Sequence, residues 1–340
     1  MAAAAIRALP PDVFEPAVLP IPRKTVIAQR AKVQNGFRVR QLRLLVILLT
    51  VLPGCTGPRE VMSARASAQV ATLPVMSFNI RYGTASDGEH AWPLRRGLTL
   101  RVIREQGPAV LGVQEALRFQ LDEIGAALPH YGEVGVGRTD GVEEGEYSAI
   151  LYDRNRLAVL DQGTFWLSDT PEVPNSMSWG NRITRIATWA RFRDSSTGAM
   201  FLVFNTHWDH ESQSARERSA RLLMERISAR RAAGEPVLVM GDFNAGEDNI
   251  AFRILLADDG RGGLRLYDTF RAVHPRALDT GTYHAFAGDR SGAKIDAILA
   301  SPEWRTLDAG IILFSENGLY PSDHFPVTAT VELEIVRRAR

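Results

Sequence analysis

Eight polar side chains carry the chemistry available to this chain: Asn79, Glu115, His207, Asp242, Asn244, Asp296, Asp323 and His324. Most stand at or just beyond the end of an apolar, β-rich run, and Asp296 stands inside one. Taken singly, a carboxylate or amide after a strand is a turn former or a helix N-cap. Recurrence changes the reading, because strand ends in layered α/β proteins converge on one edge of the fold. The assembled set would be carboxylates, amides and two histidines with almost no lysine. Such a cluster suits a hard divalent cation, held by oxygens from one or two carboxylates with the remaining positions left to water and substrate phosphate. Mg²⁺ is the expected cofactor, with Mn²⁺ as a substitute. The H-x-x-H spacing of His207 and His210 is the one hint of zinc, and no cysteine is available to complete such a site.

The elements that must position these groups are readable from periodicity. P-V-M-S-F-N-I (74–80) alternates and reads as a strand ending at Asn79. Further strands are predicted over 110–114, 131–138, 147–152, 157–167, 187–193, 200–206, 236–240, 294–300, 306–314 and 325–334. Helices are predicted over 95–106, stopped by Gly107-Pro108, over 117–128, and over about 212–232. The last carries Ala220, Leu223 and Ile227 on one face, with an arginine-rich surround that reads as a solvated face paired with Glu217 and Glu225. There is no internal repeat. Many strands with interspersed helices over one unbroken stretch predict two sheets packed face to face with helices outside.

With 340 residues, 45% hydrophobic and 23% charged, the chain is of globular type, and 28 Gly with 18 Pro exclude collagen-like and low-complexity readings. Of its 40 Lys and Arg, eight lie in residues 1–55 against two of the 39 Asp and Glu, so the rest of the chain is net −5. A body of that sign lacks the overall basic footprint of a duplex-binding protein. Residues 44–53 form an apolar run of ten, too short to span a bilayer, preceded by Arg38, Arg40 and Arg43 and followed by Gly54-Cys55. That is the anatomy of an export signal. V-L-P-G-C resembles a lipoprotein lipobox, although Pro53 departs from the usual residue. The expected organisation is an extension with signal segment over 1–55, a linker over 56–72 and one domain over 73–336, with translation starting near Val33 or Val39. The expected location is the periplasm or outer surface, with membrane anchoring through a lipidated Cys55. As the only cysteine, Cys55 leaves the domain without disulfides, so its core must hold it together.

Six segments, in order, resemble the motifs of the endonuclease/exonuclease/phosphatase superfamily, which includes DNase I, AP endonucleases, deadenylases, sphingomyelinases and inositol polyphosphate 5-phosphatases. They are S-F-N-I-R (77–81), G-V-Q-E (112–115), F-N-T-H (204–207), G-D-F-N (241–244), K-I-D-A-I-L-A-S (294–301) and S-D-H-F-P-V (322–327). The resemblance implies a DNase I-like four-layer α-β-β-α sandwich that hydrolyses phosphoester bonds with a divalent metal. It implies metal contacts at Glu115, Asn79 and Asp323, and an aspartate acting on the attacking water at Asp242. It implies a phosphate contact at Asn244, a phosphoryl donor at His324 oriented by Asp296, and a second histidine on the leaving side at His207.

These roles suit phosphodiester hydrolysis, in which charge develops on the non-bridging and leaving oxygens. The leading expectation is therefore a metal-dependent phosphodiester hydrolase, a nuclease or phosphodiesterase, using metal-activated water. The alternatives are a phosphatase or phospholipase C-like enzyme on small phosphoesters or lipid head groups, and a non-catalytic binding module. The partner is a phosphoester substrate, and a monomer is expected. Glu146 or Tyr147 is a candidate to orient His207, Trp208 reads as a packing residue with a cleft wall as the alternative, and Arg182 and Arg185 are candidate phosphate contacts in the loop over 166–186.

Overall fold

The computed structural model describes residues 69–257 and 264–335. The signal-like run, Cys55 and most of the expected linker lie outside the described residues. The first sheet holds β1 (Gln69–Asn79), β2 (Val110–Ala116), β3 (Tyr131–Val134) and β4 (Tyr147–Asp153). The second holds β5 (Leu157–Trp166), β6 (Ile186–Asp194), β7 (Met200–His207), β8 (Val237–Asp242), β9 (Tyr267–Asp268) and β10 (Asp296–Ala300). The chain then returns to the first sheet as β11 (Trp304–Ile311) and β12 (Val327–Ile335). Strand order is β11-β12-β1-β2-β4-β3 in one sheet and β5-β6-β7-β8-β10-β9 in the other.

Two neighbouring pairs, β1/β2 and β7/β8, are parallel. A parallel pair needs a crossover, and here each crossover is a helix: α1 (Trp92–Gln106) and α3 (Gln213–Arg230). The shorter helices are α2 (Arg118–Ala127), α4 (Ile250–Leu256) and α5 (Thr269–Val273).

Period-two alternation along β1 shows how the layers stack. Leu73 and Val75 face the other sheet, joining Val203, Leu238, Met240 and Ile298, while Met76 and Phe78 face α1 and α2, joining Val102, Ile103, Leu121 and Ile124. On the far side, Leu202, Phe204 and Val239 pack against Ala220, Leu223 and Ile227 of α3. The result is the expected four-layer sandwich. Within it the sheets also meet through a buried amide bridge. Gln114 Nε2 donates to Asn205 Oδ1 (2.7 Å), and Asn205 Nδ2 donates to the Val113 and Ala149 carbonyls (2.9 and 2.8 Å). Gly112 permits that approach, since a Cβ there would stand 2.7 Å from Met240 Sδ and 2.8 Å from Asn205 Oδ1.

Some expected boundaries move, for local reasons. The strand predicted over 131–138 ends at Val134, because Gly135 turns the chain with φ 146°. Beyond it Asp140 Oδ1 caps a turn by accepting the N–H groups of Val142, Glu143 and Glu144 (2.8, 2.9 and 2.8 Å). β1 begins at Gln69, inside the segment read as linker, and pairs with the end of β12. α4, β9 and α5 were not expected, being too short for periodicity to declare.

Candidate active site

Three of the eight side chains are set by strand pairing alone. His207 stands beside Asp242 in the parallel β7/β8 pair, and Asp296 stands beside Asp242 in the antiparallel β8/β10 pair. Register therefore lays His207, Asp242 and Asp296 in one row. Gly241 makes the row possible: it adopts φ 151°, and a Cβ there would lie 2.0 Å from the Thr206 carbonyl oxygen. Asn244 follows in the left-handed region at φ 45°, its N–H donating to Asp242 Oδ1 (2.9 Å).

The opposing residues come from the ends of the first sheet. Glu115 occupies a bulge, where the β2/β4 register shifts between Gln114 and Ala116, and adopts φ 60°. A bulge re-aims a side chain that regular pleating would send elsewhere. Arg81 also has positive φ, 56°, and non-glycine residues held this way cost about 1–3 kcal/mol each. Asn79 joins the two sides: its Nδ2 donates to Glu115 Oε1 and to Asp242 Oδ2, both at 3.0 Å, while its Oδ1 accepts the Arg81 N–H (3.0 Å). Asp323 and His324 arrive on the segment before β12, where Ser322 Oγ donates to the Asn79 carbonyl (2.7 Å).

All eight residues converge. A cleft of about 470 Å³ is lined by Glu115, His207, Asp242, Asn244, Asp323 and His324, together with Arg81, Arg138, Glu146 and Arg185 among others. Asn79 is buried directly behind this lining, and Asp296 touches His324 Nδ1 at 2.8 Å. His324 Nε2 in turn lies 3.8 Å from Asp242 Oδ2.

Burial and neighbouring charge divide the protons. Burial raises Asp242 to about 7, reinforced by Asp296 and opposed by His324. Burial alone would disfavour the His324 cation, but Asp296 and then Asp242 outweigh it and hold its pKa well above the ordinary value. His207 goes the other way, kept neutral by burial and then by the charges of Arg185 and Arg138. Asn244 Nδ2 donates to the Trp208 carbonyl, which can only accept, so this amide group also faces His207 Nε2 as a donor (3.0 Å). His207 Nδ1 then carries the proton and has no hydrogen-bond partner.

By distance, one group among the described residues could hold a metal: Asp242, Asp296 and His324. Within it His324 Nδ1 and Asp296 Oδ2 are already hydrogen-bonded to each other at 2.8 Å, an arrangement suited to holding and orienting a proton. The second acidic pair, Glu115 and Asp323, lies at the other side of the cleft. Arg81 is within 4.0 Å of Glu115 and 3.8 Å of Asp323. This pair offers the oxygen donors a hard cation prefers.

Several expectations for individual residues are corrected here. Trp208 is fully buried and packs edge-on against Phe243, so it does not wall the cleft. Neither candidate orients His207: Glu146 forks with Arg138 (2.7 and 2.8 Å) and the Tyr147 hydroxyl donates to the Val142 carbonyl (3.1 Å). His210 lines the cleft but its Nδ1 faces Arg185 Nη2 (3.0 Å), away from a shared zinc site. Arg182 is exposed outside the lining, whereas Arg185 is buried within it.

One residue of importance was not anticipated. Arg95 of α1 is fully buried and donates to four carbonyls: Ile80 (2.6 Å), and Arg81, His90 and Pro321 (each 2.9 Å). It thereby ties the segment after Asn79 to the segment before Asp323, with burial lowering its pKa to about 10. The available signal was its place in the stripe Arg95, Thr99, Val102 and Ile103, all on the buried face of α1.

With this geometry in place, comparison with known proteins identifies the family. Residues 76–324 match the Endonuclease/Exonuclease/phosphatase family, and the chain belongs to it. The crystal structure of the endonuclease/exonuclease/phosphatase from Bacteroides vulgatus is 34% identical, with a TM-score of 0.71 over 78% of this chain and 100% of that one. A mannosyl-6-phosphatase from Bacteroides thetaiotaomicron is 31% identical, with a TM-score of 0.69 over 76% of this chain and 99% of that one. An uncharacterized protein of Acanthamoeba polyphaga mimivirus is 29% identical over 192 residues, 54% of this chain and 70% of that one. Family members are hydrolases of phosphoesters.

Proposed function

We propose that this protein is a divalent-metal-dependent phosphatase that hydrolyses phosphomonoesters of small molecules. The observation carrying the reading is the cleft: about 470 Å³, lined by a protonated His324, a basic Asp242 and three arginines, of which Arg185 is buried. Volumes of that order suit a small ligand. The named activity of the mannosyl-6-phosphatase relative supports the same class. The nuclease expectation would draw support from a basic track leading away from the cleft, and a body of net −5 offers none in its overall charge.

Glu115 and Asp323 are the residues to hold the cation, Mg²⁺ by its preference for oxygen ligands, with Asn79 fixing the Glu115 carboxylate. When bound, the cation supplies positive charge to the phosphoryl oxygens. Asp242, with a pKa near 7, accepts a proton from the attacking water. His324, with Nδ1 fixed by Asp296, donates from Nε2 to the oxygen on which charge develops. Asn244 acts through His207, donating its two amide N–H groups to His207 Nε2 and the Trp208 carbonyl and so holding the neutral ring in place. Removing one such donor costs about 2–4 kcal/mol of barrier.

The test is a substrate panel with Mg²⁺, Mn²⁺ and EDTA. Phosphate release from mannose 6-phosphate and p-nitrophenyl phosphate, abolished by EDTA, is the expected result. Faster turnover of bis-p-nitrophenyl phosphate or DNA would replace this reading with the diesterase one, and metal-independent turnover would refute the mechanism.

We further propose the organisation expected from the sequence: export, a linker, and an anchoring lipid on Cys55, tested by mass spectrometry of the mature N-terminus.

A further inference from the structure

Three arginines line the cleft, and they are not equivalent. Arg81 forks onto Asp87 (3.1 and 3.0 Å) and Arg138 forks onto Glu146 (2.8 and 2.7 Å), so each has its own carboxylate. Arg185 has none. Its Nη2 faces His210 Nδ1 at 3.0 Å, and its buried Nε has no hydrogen-bond partner. The nearest carboxylate oxygen, Asp209 Oδ2, is 3.9 Å away, and the other oxygen of that group is occupied by the N–H groups of Glu211 and Ser212 (3.1 and 2.6 Å). Arg185 itself is only 5% exposed, so water cannot substitute freely.

A buried donor without an acceptor costs about 1–3 kcal/mol, and an arriving anionic oxygen removes that cost while forming a charge-assisted bond. The wider field agrees. Arg185 and Arg138 both oppose protonation of His207, which marks this end of the cleft as positive, whereas the Glu115–Asp323 end is negative. A substrate bridging both ends needs a cation at one and an anionic oxygen at the other.

We infer that Arg185 is a specificity-determining residue that donates to the additional terminal oxygen of a dianionic phosphomonoester and thereby selects monoesters over diesters. This rests on the phosphatase reading above and deepens it. A monoester presents three non-bridging oxygens and close to two negative charges, whereas a diester presents two and one. Binding a diester in the same pose turns an esterified oxygen and its alkyl group towards Arg185 and His210, leaving the guanidinium with a weak acceptor. The discrimination comes from an unmet hydrogen bond, the kind of contact that separates substrates most strongly.

The experiment compares wild type with Arg185→Gln and Arg185→Lys. Binding of inorganic phosphate is measured by calorimetry in Mg²⁺, and kcat/KM is measured for p-nitrophenyl phosphate and bis-p-nitrophenyl phosphate. Arg185→Lys keeps the charge and loses the Nε donor, so it decides the question should Arg185→Gln fail to fold. Expected is a loss in phosphate affinity of about tenfold or more, with the monoester-to-diester ratio of kcat/KM falling by a similar factor, mostly through KM. The inference is overturned if a folded variant binds phosphate as wild type does, or if both substrates lose equally. Failure of the phosphatase reading looks different, since wild type itself would then favour diesters or release no phosphate.

Discussion

The two sides of the cleft are built by different means. On the second sheet, His207, Asp242 and Asp296 sit side by side on hydrogen-bonded strands, each placed by register. On the first, Glu115 depends on a bulge, Arg81 on a left-handed turn, and Asp323 on a loop pinned by Ser322 and Arg95. A strand row is fixed by many cooperative bonds, so a substitution within it changes chemistry and leaves geometry intact. A clamped loop concentrates geometry in a few contacts, so a substitution in the clamp changes both.

The sharpest test of this contrast is Asp242→Asn. Activity should fall by about two to three decades, while Tm holds or rises, because the lost group is a buried carboxylate whose charge the fold disfavours. A large drop in Tm would mean the row is not self-supporting. Glu115→Gln comes next, with activity falling by about two decades and the stabilisation that Mg²⁺ gives the wild type disappearing from thermal melts. Retained Mg²⁺ stabilisation in that variant would move the cation elsewhere.

Arg95→Lys probes the clamp without touching substrate. A lysine cannot reach four carbonyls with a planar fork, and about 1 kcal/mol is lost per broken bond. Both Tm and kcat should fall, kcat by about tenfold. A fall in Tm alone would reduce Arg95 to a stabilising role.

The pH dependence separates the sides more finely. Asp296 is among the groups that hold the His324 pKa up, and in the proposed mechanism His324 acts protonated, so activity should be lost as pH rises through that pKa. In Asp296→Asn the pKa falls, and the alkaline limb of the kcat profile should move to lower pH by about one unit or more. The smallest effect concerns His284, stacked on Phe325 and brought to about 4 by burial and then by His324. Its folded pKa lies below the ordinary 6.5, so the folded state binds this proton less readily than the unfolded chain. Stability is complete above about 6.5 and declines as pH falls towards 4. A His284→Phe variant should show a shallower decline in Tm between pH 7 and 5.

The same contrast explains what the amino-acid sequence disclosed. Runs that alternate with period two and end in His207 or Asp242 declare both the strand and the chemistry at its tip. Glu115 was legible as a strand-end carboxylate, but the bulge that aims it was not, since a bulge depends on the partner strand. Arg95 escaped notice because an arginine beside another arginine reads as solvent-facing, although its helical spacing from Val102 argued otherwise. Trp208 reads as a packing residue or, from its place beside His207, as a cleft wall, and its full burial against Phe243 decides for packing. Gln114 and Asn205, within two of the recognised motifs, act between the sheets and leave the reaction to others.

The antiparallel pairing of β1 with β12, from Gln69 opposite Ile335 to Ser77 opposite Val327, joins the earliest described strand to the last. During synthesis on the ribosome β1 therefore waits, its edge unsatisfied, until almost the whole domain has emerged. Asp323 and His324 arrive in that same closing stretch. A chain ending before Pro321 would therefore lack Asp323 and His324 together with the strand that covers the edge of β1.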